Sequence, residues 1–371
     1  MNRKALVLLV ATILLVGGVA YYLSKRTPPQ TGEPGVIKIA ALLNLTGAPS
    51  RFDAIKRATM ELAERRLEAK HPSLRLDLQV YDAGGSPETT SAAIRRALES
   101  NPAYILTGTS PNALAVAASV RGRIPPIVQI GNAANPDFGP PRPGEYRFWP
   151  DWNQEAAIVA DLLRSEQLSS VLLIHSADPY SRALKDTFRN LAASPPAIRV
   201  SDLQYDPADT PDFRPALKRA ISEGTAAVII FGLPPGINAL MAQLVDAGWT
   251  GPLIGGVNTN LAADTYDTLG LKIPLWVVQT EAMSEELPAG AEAAAFRRDY
   301  VATNGQAPPF HALYLADAIY FAASARLQLP DPEVDEVTRA ASVNEFDGAS
   351  GRITVLPDRT LRFVMNIHRA R

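Results

Sequence analysis

From Val36 onward, short apolar runs alternate with longer segments whose apolar positions recur every three or four residues, a pattern that predicts strands and helices in turn. VIKIAALLNL reads as a strand ending in Thr46-Gly47. FDAIKRATMELAERRLEAK follows, with Ile55, Met60, Leu62 and Leu67 broadly on one side of a helix. LRLDLQVYDA is a strand, PETTSAAIRRALES a helix, AYILTG a strand, PNALAVAASV a helix and PPIVQIG a strand. After the turn GPPRPG and the segment YRFWP the alternation restarts. It gives helix 153–165, strand VLLIH, helix 180–192, strand IRVSDLQY, helix 213–223, strand AAVIIFG, helix 236–247 and strand PLIGG. Strands separated by helices of this length imply parallel sheets with crossover helices. Two such blocks meeting near Trp149-Pro150 imply two doubly wound α/β lobes.

The N-terminus has a different pattern. Asn2-Arg3-Lys4 precede an uncharged stretch from Ala5 to Leu23, then Lys25-Arg26 and TPPQTGEPG. An apolar run of about 20 residues can cross a bilayer. Residues 1–27 are therefore expected to be a signal anchor or a signal peptide, with Gly18-Val19-Ala20 as a candidate cleavage site. Residues 28–35 form a linker, and the body of the chain is expected outside the cytoplasm, anchored in the membrane by residues 5–23.

Composition narrows the function. The 371 residues hold 36 Lys and Arg against 38 Asp and Glu, a net charge of -2, which argues against a nucleic-acid surface. There is no cysteine, so disulfides, thiolate metal sites and a cysteine nucleophile are excluded. Among His71, His175, His311 and His368 no pair has metal-ligand spacing, and no G-x-S-x-G elbow is present. His175 ends an apolar strand and reads as a packing residue rather than a base. An exported two-lobed α/β chain without a catalytic constellation reads as a binder and not an enzyme, with no cofactor and no metal.

Ligands of open parallel sheets sit beyond the carboxyl ends of the strands. There the chain carries YILTGTSPNALAV, in which a strand leads through Gly108, Thr109 and Ser110 into a helix N-terminus. Backbone N–H groups and hydroxyls at such a point can hold an anionic or polar small molecule. Thr109 or Ser110 can equally be a helix cap and nothing more. The equivalent strand ends are 44–52, 131–135, 175–180, 232–236 and 255–260, the last including Asn258.

Four stretches give the chain from about Val36 to Arg371 a family likeness: IKIAALLNLTGAPSRF, VYDAGGSPETTSAAIRRAL, YILTGTSPNALAV with PPIVQIGNAANPD, and FDGASGRITVLPDRTLRFVMNIH. In order and spacing they resemble the type I periplasmic solute-binding proteins of the branched-chain amino-acid (Leu/Ile/Val-binding) class, which feed ATP-binding-cassette (ABC) importers. The resemblance implies an N-terminal lobe of 36–149 plus 280–342, a C-terminal lobe of 150–279 plus 343–371, and a three-segment hinge. It implies a monomer that holds a small polar or carboxylate-bearing solute between the lobes and shows its closed form to an ABC-type permease or a membrane sensor.

In such relatives the loop matching Gly108, Thr109 and Ser110 holds the ligand's carboxylate, Phe52 takes the place of an aromatic in the first loop, and Ala133 offers ligand-facing backbone. Tyr180 occupies the place of a pocket-lining tyrosine and Phe310 lies near another lining aromatic. The departures concern the ligand. Ala134 stands where relatives carry a threonine, Pro234 replaces a lining tyrosine, and IGGVNTN lacks the acid that pairs with an amino-acid ammonium. An ammonium buried without an anion is costly, which points away from a free branched-chain amino acid unless Asp178 substitutes. Trp149 and Trp152 flank the first crossing, where core packing is the simpler role for them; Trp152 is the candidate for lining the cleft against a flat or aromatic ligand. A membrane-tethered sensor or envelope scaffold with a degenerate pocket is the alternative.

Overall fold

The computed structural model describes residues 36–47, 50–84, 86–209, 211–280 and 290–369. The expected anchor or signal peptide and the linker at 28–35 lie outside the described residues. No helix among the described residues is long and apolar enough to cross a membrane.

The first block contains β1 (Val36–Leu43), α1 (Ser50–Lys70), β2 (Arg75–Asp82), α2 (Pro87–Glu99), β3 (Tyr104–Thr107), α3 (Ser110–Val120), β4 (Val128–Gly131) and β5 (Glu145–Arg147). Its strands form one parallel sheet in the order β2-β1-β3-β4-β5. β3 and β4 are buried along their whole length, as expected where helices cover both faces of a parallel sheet, although β4 carries the polar Gln129 among its buried residues. The strand order reverses between β1 and β3, so the crevice expected of such a sheet opens at 44–47 and 108–110.

The second block holds α4 (Trp152–Ser165), β6 (Ser170–Ser176), α5 (Pro179–Ala192), β7 (Arg199–Tyr205), α6 (Arg214–Ser222) and β8 (Ala227–Phe231). It continues through α7 (Pro234–Ala247), β9 (Leu253–Gly255), a 3-10 turn at Val257–Ala262, α8 (Ala263–Leu269) and β10 (Leu275–Thr280). Its switch falls between β6 and β8.

The chain then adds α9 (Ala291–Asn304), α10 (Phe310–Gln328) and α11 (Glu336–Ser342), followed by β11 (Glu345–Gly348), β12 (Gly351–Val355), β13 (Leu361–Phe363) and β14 (Met365–Arg369). α10 is buried almost all round, including Phe310, Leu313, Tyr314, Ile319 and Phe321, and Thr59 of α1 donates to its Ala312 carbonyl at 3.1 Å. β11–β13 form a small antiparallel sheet against α10, with Phe346 packed on Phe321 and Phe148. β14 pairs antiparallel with β10, completing a six-stranded sheet in the order β14-β10-β9-β8-β6-β7. One apolar cluster runs from Ile37 through Phe148, Trp149 and Tyr180 to Phe363, so the chain crosses between the sheets inside the core.

Candidate functional site

The loop after β3 is held from below by a buried ion pair. Asp53 and Lys56 lie one turn apart at the start of α1 and meet at 2.9 Å. Asp53 accepts from Asn44 N at 2.6 Å, and Lys56 Nζ donates to Gly108 O at 2.6 Å. Burial pushes the Lys56 ammonium down and Asp53 pulls it back. Gly108 is required by closeness rather than by turn geometry. A Cβ there would meet Leu43 Cδ2 at 2.9 Å and Asp53 Oδ2 at 3.1 Å.

Thr109 is the N-cap of α3, with extended backbone angles and its hydroxyl accepting from Asn112 N at 3.5 Å. Pro111 has no N–H to offer. The helix end therefore presents, among the described residues, the N–H groups of Thr109 and Ser110, which have no acceptor, and the hydroxyl hydrogens of those two residues. Ser110 Oγ accepts from Asn135 N at 3.2 Å, tying the loop after β3 to the loop after β4. In that second loop Ala133 is fully buried against Ala113, Ala117 and Phe138, and Ala134 packs half-buried on the main core. Phe52 is 43% exposed and sets its ring edge-on to His311, with centroids 5.5 Å apart. Burial, helped by the Lys56 charge, pushes His311 down to about 3.

Across the crossing, Asp178 caps α5. Its Oδ1 accepts from Ser181 N at 3.0 Å and its Oδ2 from the Ser176 hydroxyl. Tyr180 is buried, and its hydroxyl donates to Glu155 Oε2 at 2.6 Å, with Pro150 O at 3.2 Å as the second oxygen in reach. Glu155 also accepts from Val257 N at 2.9 Å, which links α4 to the turn after β9 where Asn258 lies buried. Burial lifts the Glu155 carboxyl to about 7 against those two hydrogen bonds. Pro234 opens α7, and the space above the loop after β8 is taken by Tyr205 from the end of β7. Leu233 N donates to the Tyr205 hydroxyl oxygen at 3.1 Å.

The crossing is lined with aromatic rings. Trp149 lies 5.8 Å from Phe310, 5.6 Å from Tyr314 and 6.4 Å from Tyr180, centroid to centroid. Trp152 meets the Tyr180 edge at 6.3 Å and carries the Arg147 guanidinium 4.3 Å over its ring. The structure thus groups the sequence-chosen residues in three places: Phe52 and 108–110 at the first switch point, Trp152 with Tyr180 at the crossing, and Asp178 and Asn258 at ends of the second sheet. Sequence reasoning missed Arg147, Glu155, Tyr205 and the Asp53–Lys56 pair. Only the last had a visible signal, an Asp and a Lys three apart at the start of a helix. His175, read as a packing residue, is buried at the end of β6, with Nε2 3.8 Å from Asp202. A depression of about 430 Å³ lined by Tyr266, Leu271, Lys272 and Arg369 lies at the amino end of β10, away from these groups. Among the described residues no group of His, Asp and Glu could hold a metal ion.

A model of the periplasmic binding protein family matches residues 36–370. The chain belongs to that family. The family is one of binding proteins, not enzymes, and of extracytoplasmic ones, and the fold is its type I form. Among solved structures the chain is similar to a leucine-binding protein from Thermotoga maritima. That match has 19% identity, 90% of this chain and 95% of the other covered, and a TM-score of 0.74. It is also similar to a branched-chain amino-acid transporter binding protein from Streptococcus pneumoniae in complex with isoleucine, at 17% identity, 90% and 96% coverage and a TM-score of 0.72. A third likeness is to an ABC-transporter solute-binding protein from R. palustris in complex with benzoate, at 15% identity, 91% and 94% coverage and a TM-score of 0.70. No curated protein matches the chain.

Proposed function

We propose that this periplasmic binding protein holds a small carboxylate-bearing solute between its two sheets and closes around it. The single observation that supports this best is the meeting of both sheets' carboxyl strand ends with an aromatic-lined crossing, where Trp149 touches Tyr180 of the second block and Phe310 and Tyr314 of α10. In this reading the lobes are 36–149 with 280–342 and 150–279 with 343–371. The last segment gives β14 to the second lobe while β11–β13 rest on α10. The residues that hold or shape the ligand are Phe52, Gly108, Thr109, Ser110, the backbone at Ala133 and Ala134, Trp152, Asp178, Tyr180 and Asn258. Ligand favours the closed form by its differential affinity for it, and an ABC-type permease reads that form. Residues 5–23 tether or export a monomer.

Relatives bind leucine, isoleucine or benzoate, so a carboxylate is the group common to them. The test is calorimetry on the full chain against amino acids, aliphatic acids and aromatic acids. Saturable binding of at least one acid supports the reading, and no heat from any of them overturns it. A sensor or scaffold with a degenerate pocket is favoured by one feature: the side chains of Thr109, Asp178 and Tyr180 are all engaged within the protein. Co-purification of an envelope partner with no ligand response would select it.

A further inference from the structure

Among the described residues most of the arginines that this fold buries or half-buries are paired with a carboxylate; Arg147 is not, and neither is the half-buried Arg359, which donates to Pro141 O at 3.1 Å. Arg339, 3% exposed, donates to Leu329 O at 2.9 Å and also reaches Asp331 O and Glu336. Arg326 shares Glu336, and Arg66 is held by Glu292 at 2.9 Å. Arg147 is 7% exposed, and no carboxylate among the described residues reaches it as an ion pair. Its hydrogen bond within the described residues runs from Nη1 to Phe138 O at a long 3.3 Å. Its other nitrogens have no hydrogen-bond partner among the described residues, yet they are not among the atoms sealed from solvent. Burial pushes this guanidinium down, and Asp151, Tyr180 and Asp358 offset only part of that from a distance.

The position matters as much as the missing partner. Arg147 ends β5 level with Gly131, at the carboxyl edge of the first sheet, and Trp152 opens α4 across the crossing. A cation buried without an anion is unfavourable unless an anion arrives from outside. A guanidinium lying over an indole keeps its edge free, and that edge is the fork that takes a carboxylate through two parallel hydrogen bonds. A carboxylate so held lies in the guanidinium plane, beside the indole and the Tyr180 edge. Nearby acids are engaged in the fold: Asp151 accepts from Asn153 N at 3.2 Å, Asp178 caps α5, and Glu155 is buried on Tyr180 and Val257. Both oxygens of Asp178 and of Glu155 are thereby taken, and of these three acids Asp151 alone keeps an oxygen, Oδ2, outside a hydrogen bond within the described residues.

We propose that Arg147, over the face of Trp152, anchors the carboxylate of a flat organic acid that carries no ammonium group, an assignment that rests on the solute-binding reading above. The test is calorimetry on the full chain with benzoate, cyclohexanecarboxylate, benzamide and leucine. Benzoate binds the wild type most tightly, and benzamide, which has the same shape without the charge, binds about 100-fold more weakly. Arg147→Gln weakens benzoate about 100-fold and leaves the residual affinity for benzamide unchanged. Arg147→Lys, which keeps the charge but not the fork, weakens benzoate about 10-fold, and Trp152→Ala does the same. Unchanged melting of each ligand-free variant separates lost recognition from lost folding. Should every variant misfold, the benzoate-to-benzamide ratio of the wild type decides alone. Leucine binding that exceeds benzoate binding and survives Arg147→Gln overturns this assignment and leaves the solute-binding reading standing. Silence from every compound overturns both.

Discussion

Arg339 and Arg147 are both more than nine-tenths buried, and they lie at opposite extremes of satisfaction. Arg339, between α10 and α11, sits in a closed network. Glu336 accepts from it, from Arg326 and from the Tyr104 hydroxyl at 2.9 Å. Arg147, at the crossing, has one long bond to a carbonyl and an indole face. The first arrangement holds helices in register. The second leaves a charge uncompensated, which costs stability and keeps an anion-recognising group ready. Equal burial thus marks opposite uses, and the hydrogen-bond partners distinguish them.

The largest effect is expected where that network is cut. Glu336→Ala strands two cations and should lower stability by about 3–5 kcal/mol in denaturant unfolding. Arg147→Met removes a cation that no carboxylate among the described residues pairs with, and should leave ligand-free stability unchanged or raise it, by up to about 1–4 kcal/mol. Comparable losses from both would mean that Arg147 is a structural member of the fold, and the comparison would fail.

Next in size is a pH effect from Glu155, at the crossing, and Asp317, inside α10. Burial raises both carboxyls to about 7, from ordinary values of 4.5 and 3.8. The folded chain keeps these protons over a range in which the unfolded chain has released them. Their contribution is therefore fully present below the unfolded values and is lost as pH rises through about 7. Glu155→Gln should remove part of that slope, on the order of 3 kcal/mol at most between pH 4.5 and 8. A wild-type and variant pair with parallel stability profiles would contradict the assignment.

A smaller effect belongs to the second sheet, where Tyr205 fills the loop after β8. A methyl group at Gly236 would overlap its ring, and Gly236→Ala should cost about 1–3 kcal/mol by thermal melting. The smallest is at α3, where Thr109→Ala loses a cap worth about 1 kcal/mol. If the hydroxyl also serves the ligand, binding falls by more than this stability change explains.

The parallel strands were legible because β3, β6 and β8 are unbroken apolar runs and the helices between them carry a periodic stripe. Helix 213–223 of the sequence reading is Arg214–Ser222 in the structure, a difference within the fraying of helix ends. α10 was not legible by periodicity. It is packed on every side, and a helix apolar all round has no stripe to read. The Gly108 loop was visible as a motif, but whether Thr109 caps or binds was not, since one hydroxyl suits both roles. Its cap bond is now seen and its ligand role is a proposal. Arg147 left no trace in the sequence, because what sets it apart is a partner that is missing in space. Tyr205 was hidden similarly, coming from β7 to fill a position where the resemblance pointed to a lining tyrosine at Pro234.

The central claim is that a solute draws the two sheets together. Small-angle X-ray scattering of the full chain, with and without saturating benzoate, leucine and the other acids, tests it most directly. The account expects the radius of gyration to fall with at least one acid and to stay unchanged with benzamide. Superimposable curves for every acid at concentrations where calorimetry shows saturation would contradict it.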